Sequence, residues 1–305
     1  MTVAPTHVCR REHGRRRSPD LVSVVVPVRN GARTLGTQLE ALEDQDYDGR
    51  FEVVVADNGS TDASGAVAGA WAAGRADRRV VDARGRRGPG HARNAGAAAA
   101  RGELLAFCDA DDVVSAGWLS ALVREARAAD LVAGRNDVQL LNDPLRREWN
   151  VAPPADRAVT LHDFLPMAGG SNLAVWADVL HALGGFDDRA ACGEDVAVCW
   201  RAQLSGLRLA FAPDAVVHQR YRRRLGSFAR QYFTYGRGDA WLHRRFRSAG
   251  MPATPWSEAR ARWRGLLVGL PEAVRCPAER GRWVQRAALS AGRLTGSARH
   301  RSLFL

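Results

Sequence analysis

Three neighbouring carboxylates, Asp109, Asp111 and Asp112, follow the apolar run Leu104-Leu105-Ala106-Phe107-Cys108. In an extended segment residues i and i+2 point the same way, so Asp109 and Asp111 converge on one side at the end of the run. Neighbouring carboxylates repel and raise one another's pKa unless a cation neutralises them. Hard oxygen ligands suit Mg2+ or Mn2+, which take one or two carboxylates and complete their shell with substrate phosphates. Capping of a helix expected at 116–128 accounts for Asp112 but not for all three acids. Two further apolar runs end in polar residues, Pro27-Val28-Arg29-Asn30-Gly31 and Asp57-Asn58-Gly59-Ser60-Thr61-Asp62. A turn with a helix cap explains the second as readily as a binding loop does. Glu194 and Asp195 open a helical pattern. Acids at a helix N-terminus are favourable by about 0.3–1 kcal/mol, which explains acidity but not duplication.

These residues need a scaffold that brings strand ends together. LVSVVVPV, FEVVVA, RVVD, ELLAFC and DLVAG are short apolar runs rich in β-branched residues, the pattern of strands covered on both faces. Between them Leu35, Leu39 and Leu42 share a helical face, and 91–100 and 116–128 also have helical character. Alternation of strand and helix to about residue 134 predicts an α/β fold with a mostly parallel, doubly wound sheet, whose ligands sit at the carboxyl ends of the strands. Residues 135–170 are expected to be a long irregular crossing. Helices are expected over 176–183 and 194–205, each ending at glycine. RLAFAPDAVVHQ reads as extended structure around a turn, and beyond Tyr221 come helices broken at Pro252, Pro255 and Pro271. The expected organisation is a disordered basic tail at 1–19, a catalytic region at 20–220 and a helical basic extension at 221–305.

The 305 residues are 46% apolar and 25% charged, an ordinary globular composition that excludes disorder for most of the chain. The 44 basic residues are all arginine and exceed the 33 acids by 11. Such charge favours polyanions, whether nucleic acid, an anionic membrane or a phosphorylated substrate. Five scattered cysteines without C-x-x-C spacing suggest neither a disulfide framework nor a zinc site. No run reaches the roughly 18 apolar residues of a spanning helix, and the first residues lack a signal-peptide core. A cytoplasmic protein is expected.

The blocks VVVPVRN, VVVADNGSTD, GPGHARNAGAAAARGELLAFCDADD, GGSNLAVWADVLHALGGFDD and GEDVAVCWRAQLSG resemble, in order and spacing, the family 2 glycosyltransferases, inverting enzymes with the A-type nucleotide-sugar-binding fold. The resemblance runs from about Leu21 to Tyr221. It implies that Pro27 and neighbours, including Arg29, shape the nucleotide pocket, that Asp57 reads the base and that Arg93 lies near the diphosphate or base. It further implies that Asp109 faces the ribose or a metal-bound water, that Asp111 ligates the metal directly and that His218 completes the metal site. Asp195, beside Glu194, is implied as the general base on the acceptor side. The chain departs from processive synthases by lacking a Gln-x-x-Arg-Trp block, which implies single-sugar transfer.

The resemblance thus implies Mg2+ or Mn2+, a nucleotide-diphosphate sugar as donor, and a hydroxyl-bearing acceptor that is a glycan, lipid-linked or small molecule. The arginine- and aromatic-rich stretch 220–247 is read as a solvated face, or as peripheral attachment to the anionic inner face of a membrane. No recognition motif points to nucleic acid. A nucleotidyltransferase on the same sheet, or a non-catalytic basic protein binding membrane or nucleic acid, are the alternatives.

Overall fold

The computed structural model describes residues 16–305. Strand and helix alternate through its first half: β1 (Val22–Val28), α1 (Leu35–Glu43), β2 (Phe51–Asp57), α2 (Ser64–Ala72), β3 (Arg78–Asp82), α3 (Pro89–Ala99), β4 (Leu104–Cys108), β5 (Val113–Val114), α4 (Trp118–Ala126) and β6 (Leu131–Asp137). There follow α5 (Pro144–Trp149), a hairpin of β7 (Val159–Leu161) and β8 (Leu165–Met167), β9 (Asn172–Trp176), α6 (Ala177–Ala182), α7 (Glu194–Leu204) and β10 (Leu209–His218). Three long helices close the chain: α8 (Leu225–Phe246), α9 (Trp256–Arg275) and α10 (Pro277–His300).

Among the described residues, eight strands form one sheet in the order β3-β2-β1-β4-β9-β6-β10-β5. β1 is parallel to β2 and β4, β2 to β3, and β6 to β10. This is the expected mostly parallel α/β sheet. The valines of β1 are fully buried on both faces, which is why the strand reads as a continuous apolar run and not as an alternating one. Parallel register aligns the carboxyl ends: Val28 pairs with Asp57, Asp57 with Asp82, and Val25 with Phe107 one residue before Cys108. The acidic loop after β4 is tied at its far end by β5, whose Val113 pairs antiparallel with His218 of β10.

Several expectations need correction. The 135–170 segment is not irregular throughout, since β6 runs to Asp137 and the segment holds α5 and the β7–β8 hairpin. β9, unanticipated as a strand, is inserted antiparallel between β4 and β6, and its five residues are buried. Asp112 does not cap α4, whose N-cap is Gly117; its carboxylate instead accepts the Arg220 amide at 2.8 Å. Pro271 does not break a helix but lies inside α9. A proline deprives the carbonyl four residues earlier of its donor, and that carbonyl belongs to Leu267, a residue 77% exposed that water can serve. Of the basic tail, residues 1–15 lie outside the described residues. Arg16 is tied down: its amide donates to the Arg127 carbonyl, its guanidinium pairs with Asp130 and Asp178, and it lies 4.7 Å over the Trp176 ring.

The final helices are joined to the body by a second core. Val196, Ala197 and Trp200 of α7 pack there with Ala240, Leu242 and Phe246 of α8, Met251 and Phe304. The aromatics of 220–247 are partly absorbed by such packing: Phe228 lies 5.3 Å from Trp149, and Phe246 lies 5.2 Å from Trp200. α8 and α10 cross closely at Gly236 and Gly292, where a β-carbon would meet the backbone carbonyls of Leu289 and Phe233 respectively. In an open helix position glycine to alanine stabilises by about 0.5–1 kcal/mol. Here the sign reverses: Gly236→Ala and Gly292→Ala are each expected to destabilise by about 1–3 kcal/mol through overpacking. Thermal melts should show Tm falling by several degrees in both. Gly69→Ala in α2, whose β-carbon would meet nothing within 4 Å, should raise Tm.

Candidate active site

The aligned strand ends open into a cleft of about 470 Å3 whose lining includes Pro27, Arg29, Asn58, Arg93, Asp109 and Asp111. Its floor carries the acidic group. One carboxylate oxygen from each of Asp109, Asp111 and Asp112 lies within 4.8 Å of the others. Burial and then the Asp109 charge raise Asp111 above the ordinary carboxylate range; burial with the charges of Asp111 and Asp109 raises Asp112 well above it. Carboxylates gathered this closely favour either protons or cations, and three clustered oxygen donors fit Mg2+ or Mn2+. Asp109 and Asp111, each about one-third exposed, face the cleft, whereas Asp112 is buried and holds the Arg220 backbone.

Two arginines that the sequence reading set aside for a surface role line this cleft, Arg220 and Arg222. Arg222 pairs with Asp111 at 3.0 Å, and the Arg220 guanidinium donates to the Asp111 carbonyl at 2.9 Å. The signal was available, since Arg220 and Arg222 have the same i, i+2 spacing as Asp109 and Asp111, but a run of arginines hides it. Arg33 joins Arg29 on the other lip.

Arg93 lines the cleft and also makes contacts that the sequence does not announce. Its side chain is buried and bridges Asp109 at 2.9 Å and Glu194 at 2.7 Å. Burial alone would lower its pKa, but the charges of Asp109, Glu194 and Asp195 outweigh that and hold the guanidinium protonated. Glu194 is pushed up to about 7, by burial first and then by Asp195, against the pull of Arg93. Gly170 backs onto the guanidinium, where a β-carbon would overlap it. One buried cation therefore links the acidic loop after β4 to the start of α7.

Gly193 makes that start possible. It holds φ +87°, a left-handed turn that aims Glu194 and Asp195 into the first turn of α7. Asp195 is half-buried, and its two oxygens accept the amides of Gly170 at 2.7 Å and Val196 at 2.8 Å. Each carboxylate oxygen has two lone pairs, so both retain capacity to accept a proton. Glu194, 3% exposed, is committed to Arg93.

Asp57 and His218 stand differently from the rest. Asp57 accepts the Ser60 amide at 2.9 Å, the turn contact, and the cleft is lined next to it by Asn58. Asn58 is buried and donates to the carbonyls of Ala83 and Arg86 while accepting the Gly88 amide, so it fixes the loop before α3. His218 lies outside the three-carboxylate group, with Nδ1 paired to Asp137 at 2.8 Å. Asp62 accepts the amides of Ala32 and Ser64, tying the first two strand-end loops together.

A mixed sheet of this order, with carboxylates and arginines gathered at its strand ends, offers a binding cleft where open α/β sheets hold their ligands. The chain belongs to glycosyl transferase family 2, whose model matches residues 23–183; that of glycosyl transferase family group 2 matches residues 104–275. The pre-mycofactocin glycosyltransferase of Mycobacterium tuberculosis is 29% identical over 264 residues, 81% of this chain and 53% of that protein, so the chain spans about half the length of this relative. Glycosyltransferase AglE of Haloferax volcanii is 29% identical over 226 residues, 72% of this chain and 74% of that protein. Among solved structures, the mannosyltransferase PcManGT from Pyrobaculum calidifontis, in complex with GDP-Man and Mn2+, matches with a TM-score of 0.64 at 22% identity, over 94% of this chain and 89% of that one. S. aureus TarS 1-349 in complex with UDP-GlcNAc matches at 0.52 and 17% identity, over 92% of each chain. The fold is that of these A-type enzymes. Among the described residues no helix is long and apolar enough to cross a membrane.

Proposed function

We propose that the protein transfers a single sugar, with inversion, from a nucleotide-diphosphate sugar to an acceptor hydroxyl. The observation that carries this reading is the cleft at the strand ends, where Asp109 and Asp111 share the lining with five arginines, the buried Arg93 and the more open Arg29, Arg33, Arg220 and Arg222. Carboxylates alone would repel a diphosphate, and arginines alone would bind any anion. Together they suit an anion that arrives with a divalent cation. Asp109 and Asp111 would hold Mg2+ or Mn2+, which when bound neutralises charge on the diphosphate leaving group. The more open arginines hold the diphosphate oxygens, and the loop fixed by Asn58 borders the nucleoside.

Asp195 accepts the proton of the acceptor hydroxyl as its oxygen bonds to the anomeric carbon, while the carbon–oxygen bond to the diphosphate breaks and its electron pair leaves with the diphosphate. Attack from the face opposite the leaving group inverts the anomeric centre. Arg93 and Glu194 act as positioning residues, fixing Asp109 relative to α7. Incubation with a panel of nucleotide sugars and candidate acceptors, with Mg2+ or Mn2+, should release a nucleoside diphosphate. Release of pyrophosphate would indicate a nucleotidyltransferase, and no release a binding protein.

Arg222 offers a sharper check. It is half-exposed and can leave Asp111 for the donor. A hydrogen bond to a charged group contributes about 1.5–3 kcal/mol, so Arg222→Ala should raise the donor KM about tenfold or more with little change in kcat. Steady-state kinetics at varied donor concentration measures the split.

A further inference from the structure

We infer that α9 is a docking surface for an anionic lipid bilayer, a role independent of the transfer reaction. The helix is held to the body by a narrow stripe, since only Ala259, Leu266 and Ala273, seven residues apart, are buried. The face next to that stripe, about 70° further round the helix, is apolar and bare. Trp256 is 63% exposed, Trp263 40%, Leu267 77%, Leu270 46% and Val274 66%. At 3.6 residues per turn these five side chains fall within an arc of about 60°, so they form one straight ridge along the helix and not scattered exposures.

Charge selects the partner. Arg260, Arg264 and Arg275 flank the ridge on one side and are exposed. Among the described residues none of them meets a carboxylate within ion-pair distance. The two acids of the helix, Glu258 and Glu272, project to the other side of the cylinder by the same helical count. An open groove lined by Ser257, Arg260, Arg264 and Val268 runs beside the ridge and suits a phosphate headgroup. Tryptophans beside arginines on a helix that lies along a surface are the composition of an interfacial helix, with apolar side chains entering the acyl boundary and guanidinium groups at the phosphates. A second copy of the chain would have to set these unpaired arginines against their own symmetry mates, in a protein already carrying a net charge of +11. Of the stretch 220–247, the earlier candidate for membrane attachment, Arg220 and Arg222 line the cleft.

The test uses the full chain with vesicles of phosphatidylcholine alone, or with one-third phosphatidylglycerol, in a co-sedimentation assay at low salt. The wild type should sediment with the anionic vesicles and not with the neutral ones. Arg260→Gln with Arg264→Gln should weaken binding about thirtyfold, from about 1 kcal/mol per charge near the surface. Replacing Trp256, Leu267 and Val274 together with serine should weaken it at least as much, without loss of Tm or nucleoside diphosphate release, because all three are mostly exposed. Arg230→Gln with Arg244→Gln removes the same charge elsewhere on the extension and should change binding far less. Absence of wild-type binding to anionic vesicles overturns the inference, as does an equal loss in the Arg230 and Arg244 control. A concentration-dependent dimer that the serine variant abolishes, without vesicle binding, assigns the ridge to a second copy instead.

Discussion

The Asp111→Asn variant is expected to lose transfer activity by about a thousandfold or more, because the carboxylate offered to the cation supplies several kcal/mol of charge stabilisation. The amide keeps the shape and one oxygen but carries no charge. The same substitution also removes the partner of Arg222 and relieves repulsion with Asp109 and Asp112. The metal-free protein should therefore be no less stable, and could melt higher. A ligand that binds only the folded state stabilises it by mass action. Mn2+ should thus raise the Tm of the wild type and leave that of the variant nearly unmoved. Calorimetric titration of nucleoside diphosphate with and without Mn2+ gives a reading that needs no turnover. Wild-type turnover in the variant, or undiminished wild-type turnover in excess chelator, would remove the cation from the proposed reaction.

The second large effect is expected at Asp195. Asp195→Asn can still accept hydrogen bonds from Gly170 and Val196, so the turn into α7 should survive. What it loses is the ability to take a proton, and a positioned general base is worth about 10²–10⁴ in rate. Donor affinity should remain close to wild type, because the diphosphate-facing residues lie on other strand ends. Glu194→Gln is expected to behave differently. It leaves the buried Arg93 with one carboxylate fewer, so the outcome is lower stability together with slower transfer. Measurement of kcat, donor affinity and Tm on the same preparations separates the two acids. Full activity in Asp195→Asn with a large loss in kcat alone in Glu194→Gln would move the base to Glu194.

The sheet was readable because β1, β2 and β4 are buried on both faces and advertise it as unbroken apolar runs. The same logic exposed Asp109 and Asp111, whose convergence needs only local strand geometry. What stayed hidden depends on contacts across the chain. β9 is five residues long and abuts a helix signal, so its insertion between β4 and β6 has no local mark. Arg93 sits among small residues of a helix, and nothing nearby announces partners 16 and 101 positions away. Arg222 was concealed by the arginines around it. Pro271 was misread because a breaker rule ignores whether water can reach the carbonyl left without a donor.

The placement of β9 also governs how this chain comes off the ribosome. β4 and β6 flank it, so β4 keeps one bare edge until residues 172–176 have been made, and β6, whose other neighbour β10 comes later still, keeps both. Open apolar edges pair with whatever strand is nearby, including those of neighbouring nascent chains. Synthesis at about 5–20 residues per second leaves β4 in that condition for roughly 3–13 s. The polar segment that carries α5 and the β7–β8 hairpin is what the cell must wait through before the sheet can be sealed from within. A nascent chain halted before residue 172 would leave the facing edges of β4 and β6 both open, and one carried past Trp176 would close that seam.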